Sequence, residues 1–131
     1  MFVLWVLGLV IFLGIDFLWL GWLGRGLYVD EIGDLLRPRP DMAAAAAFYL
    51  LYSIGLLIFV LKPAQMAGSL QHALVYGALF GLVAYGTYDL TNLAVLKGFT
   101  LKIAIIDMVW GAVLTAVTSA LTILIARQFS G

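Results

Sequence analysis

The stretch FGLVAYGTYDLTNLAVLKGFTLKIAIIDMVWG, residues 80–111, consists of two apolar runs joined by a short loop at Lys97 and Gly98. Each run contains one aspartate, Asp89 before the loop and Asp107 after it. A charged aspartate at the centre of a membrane-spanning helix costs about 2.5–3.5 kcal/mol on insertion scales. These two carboxyl groups therefore need an environment other than lipid, and the rest of the sequence indicates what that environment is.

The composition of the whole chain is that of an integral membrane protein. Of its 131 residues, 65% are hydrophobic and 11% are charged, whereas a soluble domain is about 45–50% apolar and about 25% charged. Seven basic and seven acidic residues cancel, so no basic surface indicates nucleic acid as a partner. The sequence contains no cysteine, which excludes disulfides and thiolate metal sites. The expected partner is the lipid bilayer.

Four apolar segments are each long enough to cross a bilayer, which takes about 20 residues. They predict an all-α fold, an integral membrane four-helix bundle with antiparallel up-down topology, in which residues 1–131 form a single transmembrane domain. The prolines Pro38, Pro40 and Pro63 fall between the segments, where they interrupt no helix. The predicted spans are roughly 2–24, 42–61, 70–96 and 101–126.

The first loop, residues 25–41, has a helical pattern of its own. Its apolar residues fall on one face, as in a short helix lying in the membrane interface, although an ordered surface turn fits equally well. Tyr28 is interpreted as an aromatic anchor at the interface, and Asp41 is expected to cap the second span. The apolar face consists of Tyr28, Ile32, Leu35 and Leu36.

The distribution of Lys and Arg predicts the orientation in the membrane. The loops before the second and fourth spans carry five basic residues, and the other side carries two. Both termini are therefore expected to lie outside the cytoplasm. The five are Arg25, Arg37, Arg39, Lys97 and Lys102, and the two are Lys62 and Arg127.

The aspartates inside the spans are expected to lie at one depth. Asp16, Asp89 and Asp107 each lie five to nine residues from a basic residue at a helix end, which corresponds to roughly 7–14 Å at a rise of 1.5 Å per residue. All these helix ends belong to the same side of the membrane. The second span contributes Tyr49 and Tyr52 at this depth, so the sequence predicts one layer of carboxyl and aromatic groups.

The third span turns its polar face towards protein. At 100° per residue, Asp89 shares a face with Tyr85 and Tyr88, and Gly77 and Gly81 continue that face with a spacing that allows close helix packing. We predict a pocket with carboxylates and aromatic walls; the alternative is that these groups only hold the helices together. The candidate ligand-binding residues are Asp16, Trp19, Tyr49, Tyr52, Tyr85, Tyr88, Asp89, Asn92, Asp107 and Trp110.

Three functions fit this pattern. The first is a small protein that binds or transports a polar, cationic or lipid-like ligand, and the second is a structural or accessory subunit of a membrane complex. The third is an enzyme acting on lipid, with an aspartate as general acid or base. The sequence contains no nucleophile–base pair, phosphate loop or zinc motif, so the enzyme ranks last and no cofactor or metal is expected. A homo-oligomer or a membrane-protein partner is compatible with the small volume that four helices enclose.

Residues 80–111 closely resemble the signature of a bacterial family of inner-membrane proteins, domain of unknown function 2177. "IDFLWLG", residues 15–21, resembles the first helix of that family, and Phe99 stands where tryptophan is expected. The resemblance implies a multi-pass, four-helix protein of the bacterial inner membrane without an established activity, and a link to lipid-modifying enzymes. The motif residues are Tyr85, Tyr88, Asp89, Thr91, Asn92, Lys97, Gly98, Asp107, Trp110 and Gly111.

Overall fold

The computed structural model describes residues 2–36 and 41–129, and within them the chain forms helices and no strand. A π-helical turn, Trp19–Leu23, extends the first helix, and a second π-helical turn, Leu57–Leu61, connects the third helix to the fourth without a break. A 3₁₀ turn, Gly33–Leu35, follows the second helix. The helices are α1 (Phe2–Leu18), α2 (Arg25–Ile32), α3 (Met42–Leu56), α4 (Lys62–Ala67), α5 (Leu70–Val95) and α6 (Leu101–Phe129).

Four helices are long and apolar enough to cross a membrane, which confirms the predicted all-α, four-helix membrane fold. Their ends differ by one or two residues from the predicted spans, except in the second. The candidate spans are Phe2–Trp22, Met42–Ala67, Leu70–Val95 and Leu101–Gln128.

The second span was wrongly predicted to end at Leu61, because Pro63 was expected to lie between helices. The helix continues to Ala67, and Pro63 lies inside it. A proline normally clashes with the carbonyl group four residues earlier and donates no hydrogen bond. Here the π-helical turn precedes it, with the Lys62 N–H bonded to the Leu57 carbonyl, and this wider turn accommodates the ring. Pro38 and Pro40, like Arg37 and Arg39, lie outside the described residues.

Helices α5 and α6 pack closely and run antiparallel. Gly98 has a positive φ of 87° in the loop between them, a conformation that glycine adopts without strain. Residues later in α5 contact residues earlier in α6, which shows that the two helices run in opposite directions. The contacts are Gly77 with Ser119, Gly81 with Gly111, and Gly86 with Met108. The alternating course of all four helices across a membrane stays a prediction.

The main apolar core lies between the four long helices, and α2 packs outside it. In a smaller cluster, Ile32 of α2 contacts Phe99, Ile103 and Ala104 at the start of α6. Of the two alternatives for the first loop, the structure shows the short helix, and part of its apolar face packs against protein. The largest buried side chains of the main core are Phe12, Leu56, Val60, Leu61, Leu114 and Ile123.

Side-chain caps stabilise the first turns of two helices, α3 and α6. Asp41 caps α3, as predicted, by accepting hydrogen bonds from the N–H groups of Ala43 and Ala44. The Thr100 hydroxyl accepts from the N–H of Ile103 at 3.2 Å and donates to Glu31 of α2 at 2.7 Å. The second cap therefore also ties α2 to the beginning of α6.

Candidate functional site

The carboxyl group of Asp16, on α1, is buried and fully partnered. The Tyr49 hydroxyl donates to its Oδ2 at 3.3 Å, and the Trp110 indole N–H donates to its Oδ1 at 3.4 Å. These donors come from α3 and α6, so Asp16 joins three helices.

The carboxyl group of Asp107, on α6, accepts a short hydrogen bond from the Tyr28 hydroxyl of α2. The same hydroxyl accepts from the Trp19 indole N–H at 2.9 Å. Burial raises the pKa of Tyr28, and the adjacent carboxyl group of Asp107 raises it further. The hydroxyl therefore keeps its proton and remains a donor to Asp107.

A glycine and a π-helical turn give Trp19 its position in this chain of hydrogen bonds. The indole lies over Gly24, where an added Cβ would come within 2.6 Å of the ring. The same indole stacks on Trp110 with ring centroids 4.5 Å apart and planes 17° from parallel. On α6, the missing side chain of Gly111 leaves room for the Tyr85 ring in a similar way. Both glycines thus act by admitting aromatic rings to the site.

Asp89, on α5, differs from the other two aspartates. It is 0% exposed, and neither carboxyl oxygen has a hydrogen-bond partner within the described part of the chain. The carboxyl group of Asp107 lies within hydrogen-bonding range of Asp89, and two carboxyl groups can share a hydrogen bond only when one of them carries a proton. A buried polar group without a partner is uncommon in folded proteins, and each case requires an explanation.

Two adjoining cavities occupy this layer of the bundle. We call the larger one the Asp16 cavity; its volume is about 600 Å³, and aromatic side chains form much of its wall. It is lined by Asp16, Leu20, Tyr28, Asp41, Ala44, Ala45, Phe48, Tyr49, Ala84, Tyr85, Tyr88, Asp107 and Trp110.

The second cavity, the Asp89 cavity, has a volume of about 530 Å³ and lies beneath α2 and the α5–α6 loop. Leu20, Tyr28, Tyr88 and Asp107 belong to both cavities, so the bonded pair Tyr28–Asp107 stands between them. Of residues 2–36 and 41–129, no Lys, Arg or His lines either cavity. The Asp89 cavity is lined by Leu20, Tyr28, Val29, Ile32, Gly33, Leu36, Tyr88, Asp89, Phe99, Ile103 and Asp107.

The structure brings most of the predicted site residues together. Trp19 lies behind the cavity wall, in contact with Tyr28 and Trp110. Tyr52 lies in the apolar core, hydrogen-bonded to Thr115, and lines neither cavity; Asn92 is half-buried and lines neither. The predicted residues that line a cavity are Asp16, Tyr49, Tyr85, Tyr88, Asp89, Asp107 and Trp110.

Tyr28 is the site residue that the sequence interpretation missed. It was assigned to the membrane interface as an anchor, but its hydroxyl is bonded to Asp107 and its ring lines both cavities. Its helical spacing from Ile32 indicated that the two share a face. The packing of α2 against α6 depends on contacts between residues far apart in sequence. The residue pattern of the loop alone does not indicate these contacts.

The site combines carboxyl groups with aromatic walls. Three carboxyl groups from three helices lie in two adjoining cavities, and aromatic faces attract cations by about 0.5–2 kcal/mol. Within residues 2–36 and 41–129, no group of three His, Cys, Asp or Glu side chains is arranged to hold a metal ion. Cationic or hydrogen-bond-donating groups are therefore the chemical partners that the cavities suit.

Comparison with known proteins gives one match. The sequence model of a family described as "Predicted membrane protein (DUF2177)" matches residues 1–124. No curated protein and no solved structure matches the chain. The matched region contains every residue that lines the two cavities.

Proposed function

The chain belongs to the DUF2177 family of predicted membrane proteins, and we propose that it binds or transports a small polar, cationic or lipid-like ligand through its intramembrane carboxyl groups. One observation carries this proposal: Asp16 and Asp107 lie on the wall of one cavity of about 600 Å³. The aromatic side chains around them include those of Tyr49, Tyr85 and Trp110.

The charge of the site supports a cationic or donor-rich ligand. Ionisable groups within a membrane are costly, and they usually pair with a cation or face a water-filled cavity. Among the described residues that line the cavities, none is basic. A ligand with a positive charge would supply the cation that these residues do not.

Ligand binding by wild-type protein and a pair of variants tests this proposal. Protein in phosphatidylcholine nanodiscs would be titrated with alkylamines, alkyltrimethylammonium ions and alkyl sulfates, with tryptophan fluorescence as the readout because Trp19 and Trp110 stack beside the cavity. We expect the cations to bind, and Asp16→Asn to weaken binding at least about tenfold, a change of about 1.4 kcal/mol. Asp30, exposed on α2 and outside both cavities, provides the matched control Asp30→Asn.

Two results would contradict the proposal. One is that no cation binds more tightly than the alkyl sulfate of the same chain length. The other is that Asp16→Asn and Asp30→Asn bind the cations equally well. Either result leaves the three carboxyl groups with a purely structural role.

We propose further that the protein lies in the bacterial inner membrane with both termini outside the cytoplasm. The support is the excess of Lys and Arg, five against two, on the side of the first and third loops, because such residues concentrate in cytoplasmic loops. Reporter fusions at Gly131 and beside Asp34 should give opposite signals. A cytoplasmic signal at Gly131 would show that the charge bias is overridden.

An accessory subunit of a membrane complex is the second candidate, and exposed small residues favour it. Gly14 and Gly21 of the first span have open space beside them, and small residues allow helices to approach closely in membranes. Because the chain has no cysteine, a Gly14→Cys variant can report contacts in intact membranes by crosslinking. Crosslinking at Gly14 but not in a Val113→Cys control on α6 would support a partner at this face. Equal yields at both positions would count against it.

A further inference from the structure

Asp89 differs from the other two aspartates of the site in the hydrogen bonds that it accepts. Asp16 accepts from Tyr49 and Trp110, and Asp107 accepts from Tyr28. Asp89 accepts from no N–H group and from no tyrosine, serine or threonine hydroxyl of the described residues, although the residue lines a cavity of about 530 Å³ and both of its oxygens are buried. A buried acceptor left unbonded costs about 1–3 kcal/mol, and more when the group is charged. The donors that Asp89 lacks can come from a molecule in the cavity.

We propose that Asp89 binds the primary ammonium group of an amphiphilic amine, whose apolar chain lies in the Asp89 cavity. This inference rests on the proposed function and specifies the ligand class. An ammonium group has three N–H donors and no acceptor, so it matches a carboxyl group that lacks donors. Asp89 and Asp107 line the same cavity, and one ammonium group can donate to both.

The donor requirement separates two kinds of cation. A quaternary ammonium ion has the same charge as a primary one, and aromatic faces attract both. It has no N–H group, however, and leaves both oxygens of Asp89 without hydrogen bonds. The Asp89 cavity should therefore discriminate strongly between two cations that differ only in methylation, whereas simple charge attraction should not.

The remaining wall of the Asp89 cavity suits an apolar chain. Ile32, Phe99 and Ile103 form a continuous apolar cluster there, and Tyr88 meets Phe99 edge to face with ring centroids 6.1 Å apart. The side chain of Tyr88 is 56% exposed, so the cavity is bordered by a residue at the protein surface. A primary amine with an alkyl or acyl chain fits these walls better than a fully polar one.

Two matched ligands and two matched variants test the proposal. Protein in phosphatidylcholine nanodiscs would be titrated by calorimetry with octylamine and with octyltrimethylammonium. We expect octylamine to bind at least about tenfold more tightly, since charge-assisted hydrogen bonds are the strong ones. Asp89→Asn should abolish this preference, and Asp30→Asn, on the exposed side of α2, should keep it.

A measurement on the wild-type chain keeps the test independent of folding in the variants. Dicyclohexylcarbodiimide, an apolar reagent for carboxyl groups, would be applied in the presence of each ligand, and labelling of Asp89 followed by mass spectrometry. Because a primary amine converts the activated carboxyl group into an amide, modification is counted as the N-acylurea and the octylamide together. Octylamine should slow this total modification of Asp89, whereas octyltrimethylammonium at the same concentration should not. Labelling at the exposed Asp30 should be unaffected by either.

The ammonium group can belong to a free amine or to a lipid headgroup. Replacing part of the phosphatidylcholine with phosphatidylethanolamine distinguishes the two sources. If octylamine then binds less tightly, the lipid competes for the site and is a ligand; an unchanged affinity identifies free amines as the ligands. Both results uphold the assignment of a primary ammonium to Asp89.

Equal affinity for octylamine and octyltrimethylammonium would overturn the proposal, and so would an Asp89→Asn variant that keeps the preference. These failures differ from failure of the proposed function. If either cation still binds and Asp16→Asn weakens it, ligand binding in the Asp16 cavity stands and only the role of Asp89 falls.

Discussion

The same two helices, α5 and α6, form a close interface along one part of their length and border a cavity along another. At Gly77, Gly81 and Gly111 the helices are so close that an added Cβ would clash with the facing helix. At Asp89 and Asp107 the pair instead borders the cavity beneath α2. The glycine contacts hold the two helices at a fixed spacing, so the cavity beside Asp89 and Asp107 can stay open.

The two regions also differ in what holds them. Lipid chains are as apolar as the helices, so association within a membrane depends on close packing and hydrogen bonds more than on burial of apolar surface. The close region uses backbone contacts and buried hydroxyl groups, such as that of Thr115 bonded to Tyr52. The open region uses aromatic donors bonded to Asp16 and Asp107. Gly111 belongs to both regions because it contacts the Tyr85 ring, whereas Gly77 and Gly81 line neither cavity.

The largest effect is expected from a single methyl group in the close region. In Gly81→Ala the added Cβ would collide with the Gly111 carbonyl group and with the Thr115 hydroxyl. Overpacking typically costs about 1–3 kcal/mol, and a clash with backbone belongs at the upper end. We expect Gly81→Ala to lower the free energy of unfolding by at least about 3 kcal/mol, measured by denaturant titration in detergent.

Gly14→Ala is the matched control for this prediction, since it adds the same methyl group to another long helix, where nothing lies within 4 Å. Alanine favours helix over glycine by about 1 kcal/mol, so this variant should be as stable as wild type or more so. Equal destabilisation by the two changes would show that the glycine contacts do not fix the helix spacing.

A smaller effect is expected from Tyr28→Phe in the open region. The change removes the donor to Asp107 and the acceptor for Trp19. Hydrogen bonds to charged groups contribute about 1.5–3 kcal/mol, and we expect a loss of about 1–2 kcal/mol with a shift in tryptophan emission.

Tyr76→Phe serves as its control, because Tyr76 is half exposed and donates no hydrogen bond among the described residues. Wild-type stability and emission in Tyr28→Phe would show that α2 is not held by this bond.

Asparagine substitutions compare a partnered carboxyl group with an unpartnered one. Asp16→Asn weakens the bonds from Tyr49 and Trp110 and should cost about 1 kcal/mol. Asp89→Asn replaces a buried carboxyl group that accepts from no N–H group and from no tyrosine, serine or threonine hydroxyl of the described residues, so its free energy of unfolding should equal or exceed that of wild type. Chemical unfolding of the two variants side by side provides the measurement. A larger loss for Asp89→Asn would mean that Asp89 serves stability more than ligand binding.

Much of this fold could be predicted from the sequence, because it depends on local and periodic properties. Hydropathy gives the number of spans, and residue counting from the basic helix ends put Asp16, Asp89 and Asp107 in one layer. The helix through Pro63 could not be predicted, because the π-helical turn before it has no local sequence signal. The position of Tyr28 could not be predicted either, because α2 is held by contacts with Thr100, Asp107 and Phe99.

The smallest expected effect is a pH dependence that arises in the open region. The pKa of Tyr28 is raised by burial and by the adjacent Asp107, so the folded state favours the neutral phenol. In the unfolded chain the hydroxyl titrates at about 10. The contribution of Tyr28 to stability is therefore complete below about pH 10 and is lost as pH rises further, because the unfolded state then releases its proton first. Unfolding measured from pH 8 to 11 should show a shallower decline above about pH 10 for Tyr28→Phe than for wild type. Tyr76→Phe should follow wild type, and equal slopes for both variants would show that the Tyr28 hydroxyl is not held by Asp107 in the membrane protein.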